Sequence, residues 1–219
     1  MQMKEVSLQY ISQGKTPNDH LYHIEEVCKA GGAWIQLRLK DVDMVTYLDT
    51  ALKCRKICDQ YNAIMIVNDN VSIAKAILAD GVHLGLEDMD PVEARKILGA
   101  NFIIGGTANT IKDCMQHDMN GVDYIGLGPF RHTTTKKKLS PILGNEGYAK
   151  IITEFKNQNS EMPIVAIGGI DYNNISGLIN AGVSGIAVSG MLTNKKNLKE
   201  KIEDVKSLIS SELKLKCNG

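Results

Sequence analysis

The sequence predicts one α/β domain, a (β/α)8 TIM barrel that spans residues 1–219. Eight short apolar runs alternate with eight longer amphipathic segments along the chain. A glycine recurs between the end of a predicted helix and the start of the next predicted strand. The length of 219 residues also fits one barrel domain better than two small domains.

The predicted strands are short and apolar on both faces, as parallel strands covered by helices are. Their ranges are 6–11, 34–38, 63–67, 81–84, 102–105, 124–127, 164–167 and 185–188. The predicted helices follow them in turn at 18–30, 44–61, 72–79, 91–98, 111–118, 146–155, 172–181 and 198–213. Pro91 opens the fourth helix, where its missing N–H has no partner to lose.

Four glycines mark junctions at which a helix is predicted to end and a strand to begin: Gly31, Gly81, Gly121 and Gly182. Glycine is favoured there because the residue after a helix commonly needs a left-handed backbone. An open, doubly wound sheet would also alternate strands with helices. Its Gly-x-Gly-x-x-Gly motif is missing after the first strand, which favours the closed barrel.

Charge and composition bear on the class of function. Lys+Arg and Asp+Glu each number 25, so no net charge attracts nucleic acid or an anionic membrane. No apolar run reaches the roughly 20 residues that span a bilayer, and the N-terminal residues lack the pattern of a signal peptide. We therefore expect a cytoplasmic protein without nucleic-acid or membrane partners. A homo-oligomer is compatible with the sequence, which does not determine the oligomeric state.

Two kinds of reactive side chain are interpreted as structural. The five cysteines are odd in number and scattered, which argues against a disulfide framework. Cys54 and Cys58 stand four apart on one helix face, but no second pair or histidine cluster completes a zinc site, so we expect buried thiols. His83 lies within a strand, and a hydrogen-bonded core histidine is a better interpretation than a catalytic base.

The second strand ends in polar residues, at the edge where the active site of a parallel barrel lies. Alternation directs Gln36, Arg38 and Lys40 to the same side, which gives an amide and two cations. A barrel strand would normally carry apolar residues there. We predict an anion-binding site, with a structural cluster of salt bridges as the alternative.

Aspartates follow the third and fourth strands. Asp69 comes directly after Asn68, and Asp88 follows the next strand along the chain. Two carboxylates on neighbouring strand ends can share Mg²⁺, which prefers oxygen ligands. Glu87 and Asp90 are weaker candidates. The Asn-Asp pair taken alone would be interpreted as a turn or a helix cap.

Glycine-rich turns follow the fifth, seventh and eighth strands. They contain Gly105-Gly106-Thr107, Gly168-Gly169 and Val188-Ser189-Gly190. The loops after strands seven and eight form the usual phosphate site of such barrels, and glycine lets backbone N–H groups approach a ligand closely. The two turns after strands seven and eight predict a site for a phosphate monoester, and Thr107 adds a hydroxyl after strand five.

The sixth strand leads into a loop with three threonines and three lysines at residues 133–138. Hydroxyl and ammonium groups bind phosphate oxygens by charge-assisted hydrogen bonds. Lys136 is a candidate ligand, whereas Lys137 and Lys138 are interpreted as solvated. Together with Arg38, Lys40 and an aspartate-bound Mg²⁺, the loop suits a pyrophosphate. Two anionic substrates, one of them a diphosphate, indicate group transfer with pyrophosphate as the leaving group.

Ordered motifs resemble the thiamine-phosphate synthase family, and the match runs from Tyr10 to about Met191. The motifs are Gln36-Leu37-Arg38-Leu39-Lys40, Val67-Asn68-Asp69, residues 81–88, residues 123–129, Thr133-Thr134-Thr135-Lys136, Ala166-Ile167-Gly168-Gly169-Ile170 and Val188-Ser189. The resemblance implies that 4-amino-2-methyl-5-hydroxymethylpyrimidine diphosphate is joined to 4-methyl-5-(2-phosphooxyethyl)thiazole. Thiamine phosphate and pyrophosphate would form by a dissociative, Mg²⁺-assisted displacement without a protein nucleophile.

The resemblance also implies roles for individual residues. The pyrimidine diphosphate would be bound by Gln36, Arg38, Lys40, Asn68, Thr107 and Lys136. Among these, Arg38 and Lys136 would be catalytic. The thiazole phosphate would be bound by Thr133, Thr135, Gly169, Val188 and Ser189. The metal ligands would be Asp69 and Asp88.

The sequence departs from the family pattern at four places. His132 stands where proline is common, and Leu86 replaces a frequent glutamine. Thr107 replaces serine but keeps the hydroxyl, so we expect activity to survive. The first strand ends in Ile11-Ser12-Gln13 instead of the more usual Thr-Asp, which could alter details around the pyrimidine.

Three alternatives remain open at this point. A thiazole tautomerase of the related barrel family would not need the full diphosphate and Mg²⁺ set, which this chain retains. A sugar-phosphate aldolase would need a Schiff-base lysine, for which Lys40 is the candidate, and a sugar-phosphate epimerase is a further phosphate-binding barrel. A non-catalytic thiamine-phosphate-binding regulator would not need intact metal ligands.

Overall fold

Eight parallel strands form a closed barrel in which each strand pairs with its neighbours in chain order. The computed structural model describes residues 7–132 and 141–217, with side chains up to residue 214. The strands are β1 Leu8–Ile11, β2 Trp34–Leu37, β3 Ile64–Asn68, β4 Gly81–Leu84, β5 Ile103–Ala108, β6 Tyr124–Leu127, β7 Ile164–Ile167 and β8 Gly185–Val188. The predicted (β/α)8 barrel and its eight strands are confirmed.

A helix follows every strand. The helices are α1 Pro17–Lys29, α2 Met44–Gln60, α3 Val71–Ala76, α4 Pro91–Leu98, α5 Ile111–Met119, α6 Gly144–Asn157, α7 Ile175–Ala181 and α8 Leu198–Cys217. A short 3-10 helix, Tyr172–Asn174, precedes α7 where one continuous helix was predicted. Asp171 caps this 3-10 helix by accepting from the backbone N–H of Asn173, so a separate turn forms before α7 begins.

Apolar side chains fill both sides of the sheet. The outer faces of the strands pack against the helices in one large core, and a smaller cluster lies inside the barrel. The inner cluster includes Trp34, Ile66, Tyr124, Val165 and Ala187. This packing leaves polar side chains at the carboxyl ends of the strands, where the predicted site lies.

The predicted glycine junctions have two different causes. Gly31, Gly121 and Gly182 have positive φ angles of 95°, 64° and 116°, as predicted for residues that end helices. The prediction was wrong for Gly81, which is the first residue of β4 and has no positive φ. A Cβ on Gly81 would lie 2.2 Å from the carbonyl oxygen of Ile103, so close strand packing accounts for this glycine.

Two aspartates at the amino ends of strands repeat one arrangement. Asp80 precedes β4, and its Oδ2 accepts 2.6 Å from Arg55 of α2 and 2.7 Å from a backbone N–H of β3. Asp123 precedes β6, and its Oδ2 accepts 2.6 Å from Arg95 of α4 and 2.7 Å from a backbone N–H of β5. Each aspartate therefore ties a helix to two strands at the end of the barrel opposite the predicted site.

Within the described residues, no helix is both long and apolar enough to cross a membrane.

Candidate active site

Two amide side chains meet where β2 and β3 end. Nε2 of Gln36 donates to Oδ1 of Asn68 at 2.6 Å, and both residues are buried. Oε1 of Gln36 is also buried and has no hydrogen-bond partner among the described residues. A buried polar atom costs free energy unless it is paired, so Gln36 presents an acceptor suited to a ligand donor. The predicted proximity of the two amides is thus observed.

The predicted metal ligands, Asp69 and Asp88, also face one another. Asp69 follows β3 with a left-handed backbone (φ 65°), and Asp88 lies in the turn after β4. Oδ2 of Asp88 accepts from the backbone N–H of Gly85 at 2.6 Å. Partial burial, followed by the adjacent Asp69 carboxyl, raises the pKa of Asp88. Both causes disfavour the charged form of Asp88, and a bound cation would favour it.

This donor set fits Mg²⁺. Hard carboxylate oxygens are the ligands this ion prefers, and it commonly takes one or two carboxylates from a protein. No group of three or more His, Cys, Asp or Glu that could bind a metal occurs in the described part of the chain. Water and substrate phosphates would complete the coordination. Asp90, the weaker candidate, caps α4 instead by accepting from the backbone N–H of Val92 at 2.8 Å.

The residue that caps α3 is Asn70, and not Asn68 or Asp69 as the alternative interpretation would have it. Asn70 caps α3 by accepting from the backbone N–H of Ile73 at 2.9 Å. The Asn68 amide is instead paired with Gln36. The two residues are therefore available for the site at the end of β3.

A lysine lies beside the carboxylate pair. Nζ of Lys40 forms an ion pair with Asp69, and the Lys40 side chain is half-exposed. The salt bridge that we gave as the alternative interpretation is therefore present. It also places a cation directly next to the predicted diphosphate site. Arg38, two residues earlier, has a partly buried side chain on the same segment.

A serine and a histidine support the backbone of Arg38, and their contacts were not predicted from the sequence. Oγ of Ser12 accepts from the backbone N–H of Arg38 at 3.0 Å and lies 2.8 Å from Nδ1 of His20. Burial lowers the pKa of His20, so its ring stays neutral and can accept from the Ser12 hydroxyl. The unusual end of the first strand drew attention to residues 11–13 but did not predict this contact.

The turn after β7 packs against the segment after β6. Gly168 and Gly169 have positive φ angles of 91° and 73°. A Cβ on Gly168 would lie 2.8 Å from Cβ of Pro129, and one on Gly169 would lie 2.9 Å from Cβ of Arg131. The backbone N–H of Arg131 donates to the carbonyl of Gly168 at 2.9 Å. The glycines therefore allow residues 129–131 to pack against the turn after β7.

Val188 and Ser189, which were also predicted to bind the phosphate, lie at the end of β8. Val188 is the last residue of that strand, and Oγ of the following Ser189 donates to Oε1 of Gln13 at 3.1 Å. The side chain of Ser189 is thus directed by the loop after β1. Thr133, Thr135 and Lys136 lie outside the described residues, so their predicted roles stay predictions.

Thr107 ends a chain of hydrogen bonds that runs through the barrel interior. Nε2 of Gln9 lies 3.3 Å from the hydroxyl of Tyr124, which lies 3.0 Å from Nδ1 of His83. Nε2 of His83 lies 3.0 Å from Oγ1 of Thr107. The prediction that His83 is a hydrogen-bonded core histidine is confirmed. The buried thiols are likewise confirmed, since Cys54 and Cys58 are fully buried and free.

Comparison with known proteins identifies the family of the chain. A family model described as thiamine monophosphate synthase matches residues 8–192. The chain is 50% identical over 190 residues to a thiamine-phosphate synthase of Flavobacterium psychrophilum, covering 87% of this chain and 92% of the relative. A second such synthase, from Flavobacterium johnsoniae, is 48% identical over 198 residues, which are 90% of this chain and 93% of the relative.

A solved structure shows the same architecture. The thiamine phosphate pyrophosphorylase from Pyrococcus furiosus has a TM-score of 0.81 and 27% sequence identity. The superposition covers 96% of this chain and 98% of that one. Family match, sequence identity and fold agree over almost the full described barrel. The chain belongs to the thiamine monophosphate synthase family.

Proposed function

We propose that the chain is a thiamine-phosphate synthase that uses Mg²⁺ and the residues at the carboxyl ends of the barrel strands. The transferase activity follows from membership of the family and from the identity to synthases of that name. Its substrates are the pyrimidine diphosphate and the thiazole phosphate named above. The metal and the assignment of each residue to a substrate are part of the proposal.

The pairing of Asp69 with Asp88 is the observation that carries this mechanism. A diphosphate has several negative charges, and two aspartates would repel it unless a cation lay between them. Lys40 already forms an ion pair with Asp69 at this position. Mg²⁺, when bound by the two carboxylates, would neutralise charge on the diphosphate oxygens. The site therefore suits a diphosphate better than an uncharged ligand.

The reaction exchanges one bond at the methylene carbon of the pyrimidine for another. The C–O bond to the diphosphate breaks, and its electron pair leaves with pyrophosphate. The thiazole nitrogen then forms a C–N bond with that carbon and becomes the positively charged nitrogen of thiamine phosphate. Arg38, Lys40 and Lys136 would stabilise the charge that develops on the leaving group.

Positioning accounts for the rest of the proposed mechanism. The amide pair of Gln36 and Asn68 would bind the polar edge of the pyrimidine through the unpaired Oε1 of Gln36. The turns that contain Gly169 and Ser189 would bind the phosphate of the thiazole, together with Thr133 and Thr135. Two anchored substrates react as if at high local concentration, which lowers the entropic part of the barrier.

The direct test is an assay of the purified protein with both substrates. Thiamine phosphate and pyrophosphate should form in a 1:1 ratio when Mg²⁺ is present, and formation should stop when a chelator is added. Absence of both products with Mg²⁺ would rule out the synthase. Isomerisation of the thiazole without pyrophosphate release would instead identify a tautomerase, and binding of thiamine phosphate without turnover would identify a regulator.

We also propose that the enzyme acts in the cytoplasm as one domain on small phosphorylated molecules, without a nucleic-acid partner. The balanced count of 25 basic and 25 acidic residues supports the absence of a nucleic-acid partner, since the protein has no net positive charge to attract a polyanion. A homo-oligomer is part of the same proposal. Light scattering of the purified chain tests it, and a monomer at all concentrations would contradict it.

A further inference from the structure

The hydrogen-bond chain inside the barrel links Gln9, Tyr124, His83 and Thr107. All four residues are buried, and they belong to four different strands. Thr107 is the last but one residue of β5, so it lies at the end of the barrel where the proposed substrates bind. The other three residues lie deeper, where a barrel of this size is usually filled with apolar side chains. A row of hydrogen-bonded polar side chains at this place therefore needs an explanation.

Two glycines make room for the rings of this chain. A Cβ on Gly105 would lie 2.2 Å from Cζ of Tyr124 and 2.6 Å from Nδ1 of His83. A Cβ on Gly126 would lie 2.8 Å from Cε1 of His83. β5 and β6 thus lack a side chain at the points where the imidazole and the phenol ring lie, which leaves space for both rings.

The direction of the hydrogen bonds follows from Tyr124. Burial raises the pKa of its hydroxyl, so the group keeps its hydrogen and needs an acceptor. The Gln9 amide donates to the phenol oxygen, so the hydrogen of Tyr124 is directed to Nδ1 of His83. A neutral imidazole that accepts at Nδ1 carries its proton on Nε2. His83 then donates to Oγ1 of Thr107, whose own hydrogen is left to donate elsewhere.

A second histidine holds the backbone of the same threonine. Nε2 of His117, on α5, lies 2.8 Å from the carbonyl oxygen of Thr107. That oxygen can only accept, so Nε2 of His117 is the donor. The threonine is thereby held through its backbone on one face of β5 and through its hydroxyl oxygen on the other.

We propose that these hydrogen bonds orient the Thr107 hydroxyl as a donor toward the bound diphosphate, with His83 and Tyr124 as positioning residues. The opposite direction would present a lone pair to an anionic oxygen, which would repel it. A fixed donor needs no reorientation when charge develops on the leaving group. The identity of the ligand rests on the proposed function, but the donor-to-acceptor direction of the hydrogen bonds from Gln9 to Thr107 does not.

The first test measures the tautomer of His83 in the full chain without substrate. Nitrogen-15 NMR distinguishes protonated from bare ring nitrogens, and the His83→Gln variant assigns the signals by their loss. We expect a bare Nδ1 and a protonated Nε2 across neutral pH. A protonated Nδ1 would overturn the proposal. Because no turnover is needed, the result holds even if the synthase assay fails.

The second test removes the donor to Nδ1. Tyr124→Phe keeps the ring that packs 5.1 Å from Trp34 but loses the hydroxyl. We expect a mixture of His83 tautomers, a kcat that is about tenfold lower, and an unchanged KM for the thiazole phosphate. Unchanged tautomer and kcat in folded Tyr124→Phe would contradict the proposal.

The matched control is Tyr10→Phe. Tyr10 is as deeply buried, and its hydroxyl bonds Oγ1 of Thr193 at 2.8 Å, away from the barrel interior. It should lose stability without a change in the tautomer of His83. If Tyr124→Phe does not fold, Thr107→Val and Thr107→Ser serve instead. Serine should rescue the turnover that valine loses, and equal rates for the two variants would refute a hydroxyl donor.

Discussion

Asp69 and Asp88 follow two neighbouring strands, β3 and β4, and their carboxyl groups lie together in the site. Asp69 and Asp88 lie close enough for one carboxyl to raise the pKa of the other. Two like charges at one place are unfavourable for folding, although the half-exposed Lys40 forms an ion pair with Asp69. Binding of a divalent cation converts the repulsion into an attraction.

We expect Asp69→Ala and Asp88→Ala each to lose Mg²⁺-dependent turnover. Loss of a direct metal ligand should lower kcat/KM by about 100-fold or more, since removal of a residue that only supports a ligand costs 10- to 100-fold. The measurement is the initial rate over a series of Mg²⁺ concentrations. Circular dichroism checks that the barrel is intact, and wild-type rates in both variants would remove the two residues as ligands.

The same pair predicts a pH-dependent effect on stability. The folded pKa of Asp88 is raised, so its charged form is disfavoured by folding and this cost is present at pH values above that pKa. In a chelator, Asp88→Asn should therefore raise Tm slightly at pH 7. The gain should fade as pH falls through the raised pKa, because the wild-type carboxyl is then protonated.

Thermal melts at pH 7 and at about pH 4, near the ordinary pKa of aspartate, measure this change. Asp90→Asn is the matched control, because asparagine caps the start of α4 about as well as aspartate. Its Tm should follow that of the wild type at both pH values. A lower Tm of Asp88→Asn at pH 7 would show that the pair is not repulsive.

Gln36 should affect one substrate and not the other. Gln36→Met keeps the length of the side chain but leaves Oδ1 of Asn68 without its 2.6 Å donor. We expect the KM for the pyrimidine diphosphate to rise about tenfold and the KM for the thiazole phosphate to stay the same. Gln116→Met, which removes a 2.9 Å bond to Asn120 on the surface of α5, should change neither.

At the scale of elements, the ends of neighbouring strands are held by each other. β1 passes directly into the segment that contains Ser12, whose backbone N–H donates to the carbonyl of Gln36 at 2.9 Å. Its hydroxyl holds the backbone N–H of Arg38. The position of Arg38, for which we propose a catalytic role, therefore depends on a residue from a different strand and loop.

We expect Ser12→Ala to lower both stability and turnover. The variant leaves a partly buried N–H of Arg38 without the Ser12 acceptor, which should cost about 1 kcal/mol of unfolding free energy. kcat should fall because Arg38 loses its fixed position. Urea unfolding and steady-state kinetics measure the two effects. Ser211→Ala, on the exposed face of α8, is the control, and equal behaviour of the two variants would exclude this role for Ser12.

At the scale of the molecule, the two ends of the barrel have separate tasks. The carboxyl ends of the strands carry the proposed chemistry, and the amino ends carry the two aspartate–arginine arrangements. In such barrels, loops at the first end vary with function while the second end contributes to stability. A substitution at the second end should therefore leave the chemistry alone.

Asp123→Asn tests this separation. The variant loses the ion pair with Arg95, which is partly exposed, so we expect a loss of about 1–2 kcal/mol in unfolding free energy. The kcat and both KM values of the folded enzyme should equal those of the wild type. A drop in kcat larger than twofold at a temperature well below Tm would contradict a purely structural role.

Much of this architecture could be predicted because it depends on patterns of neighbouring residues in the sequence. The period of the apolar residues identifies strands and helices, and the strand ends point to a common edge. Gln36 and Asn68 were expected on that edge for this reason, and they meet there. The wrong reason given for Gly81 shows the limit, since close approach to a neighbouring strand depends on register and not on the local sequence.

Contacts between distant residues could not be predicted in the same way. Gln9 and Tyr124 are 115 positions apart, and the chain of hydrogen bonds between them depends on the stagger of strands around the barrel. Ser12 and His20 are only eight apart, but their contact depends on how α1 turns back over the end of β1. Neither arrangement leaves a periodic signal in the sequence.

The pairing of β1 with β8 has a consequence for how the protein is made. Leu8 pairs with Ile186 and Tyr10 with Val188. During synthesis, β1 therefore has no β8 partner until the end of the barrel sequence has been made. Until then, β1 and the newest strand both expose unpaired backbone edges, which can associate with other chains. A chain that ends before Gly185 lacks β8 and should therefore aggregate instead of forming a smaller working enzyme.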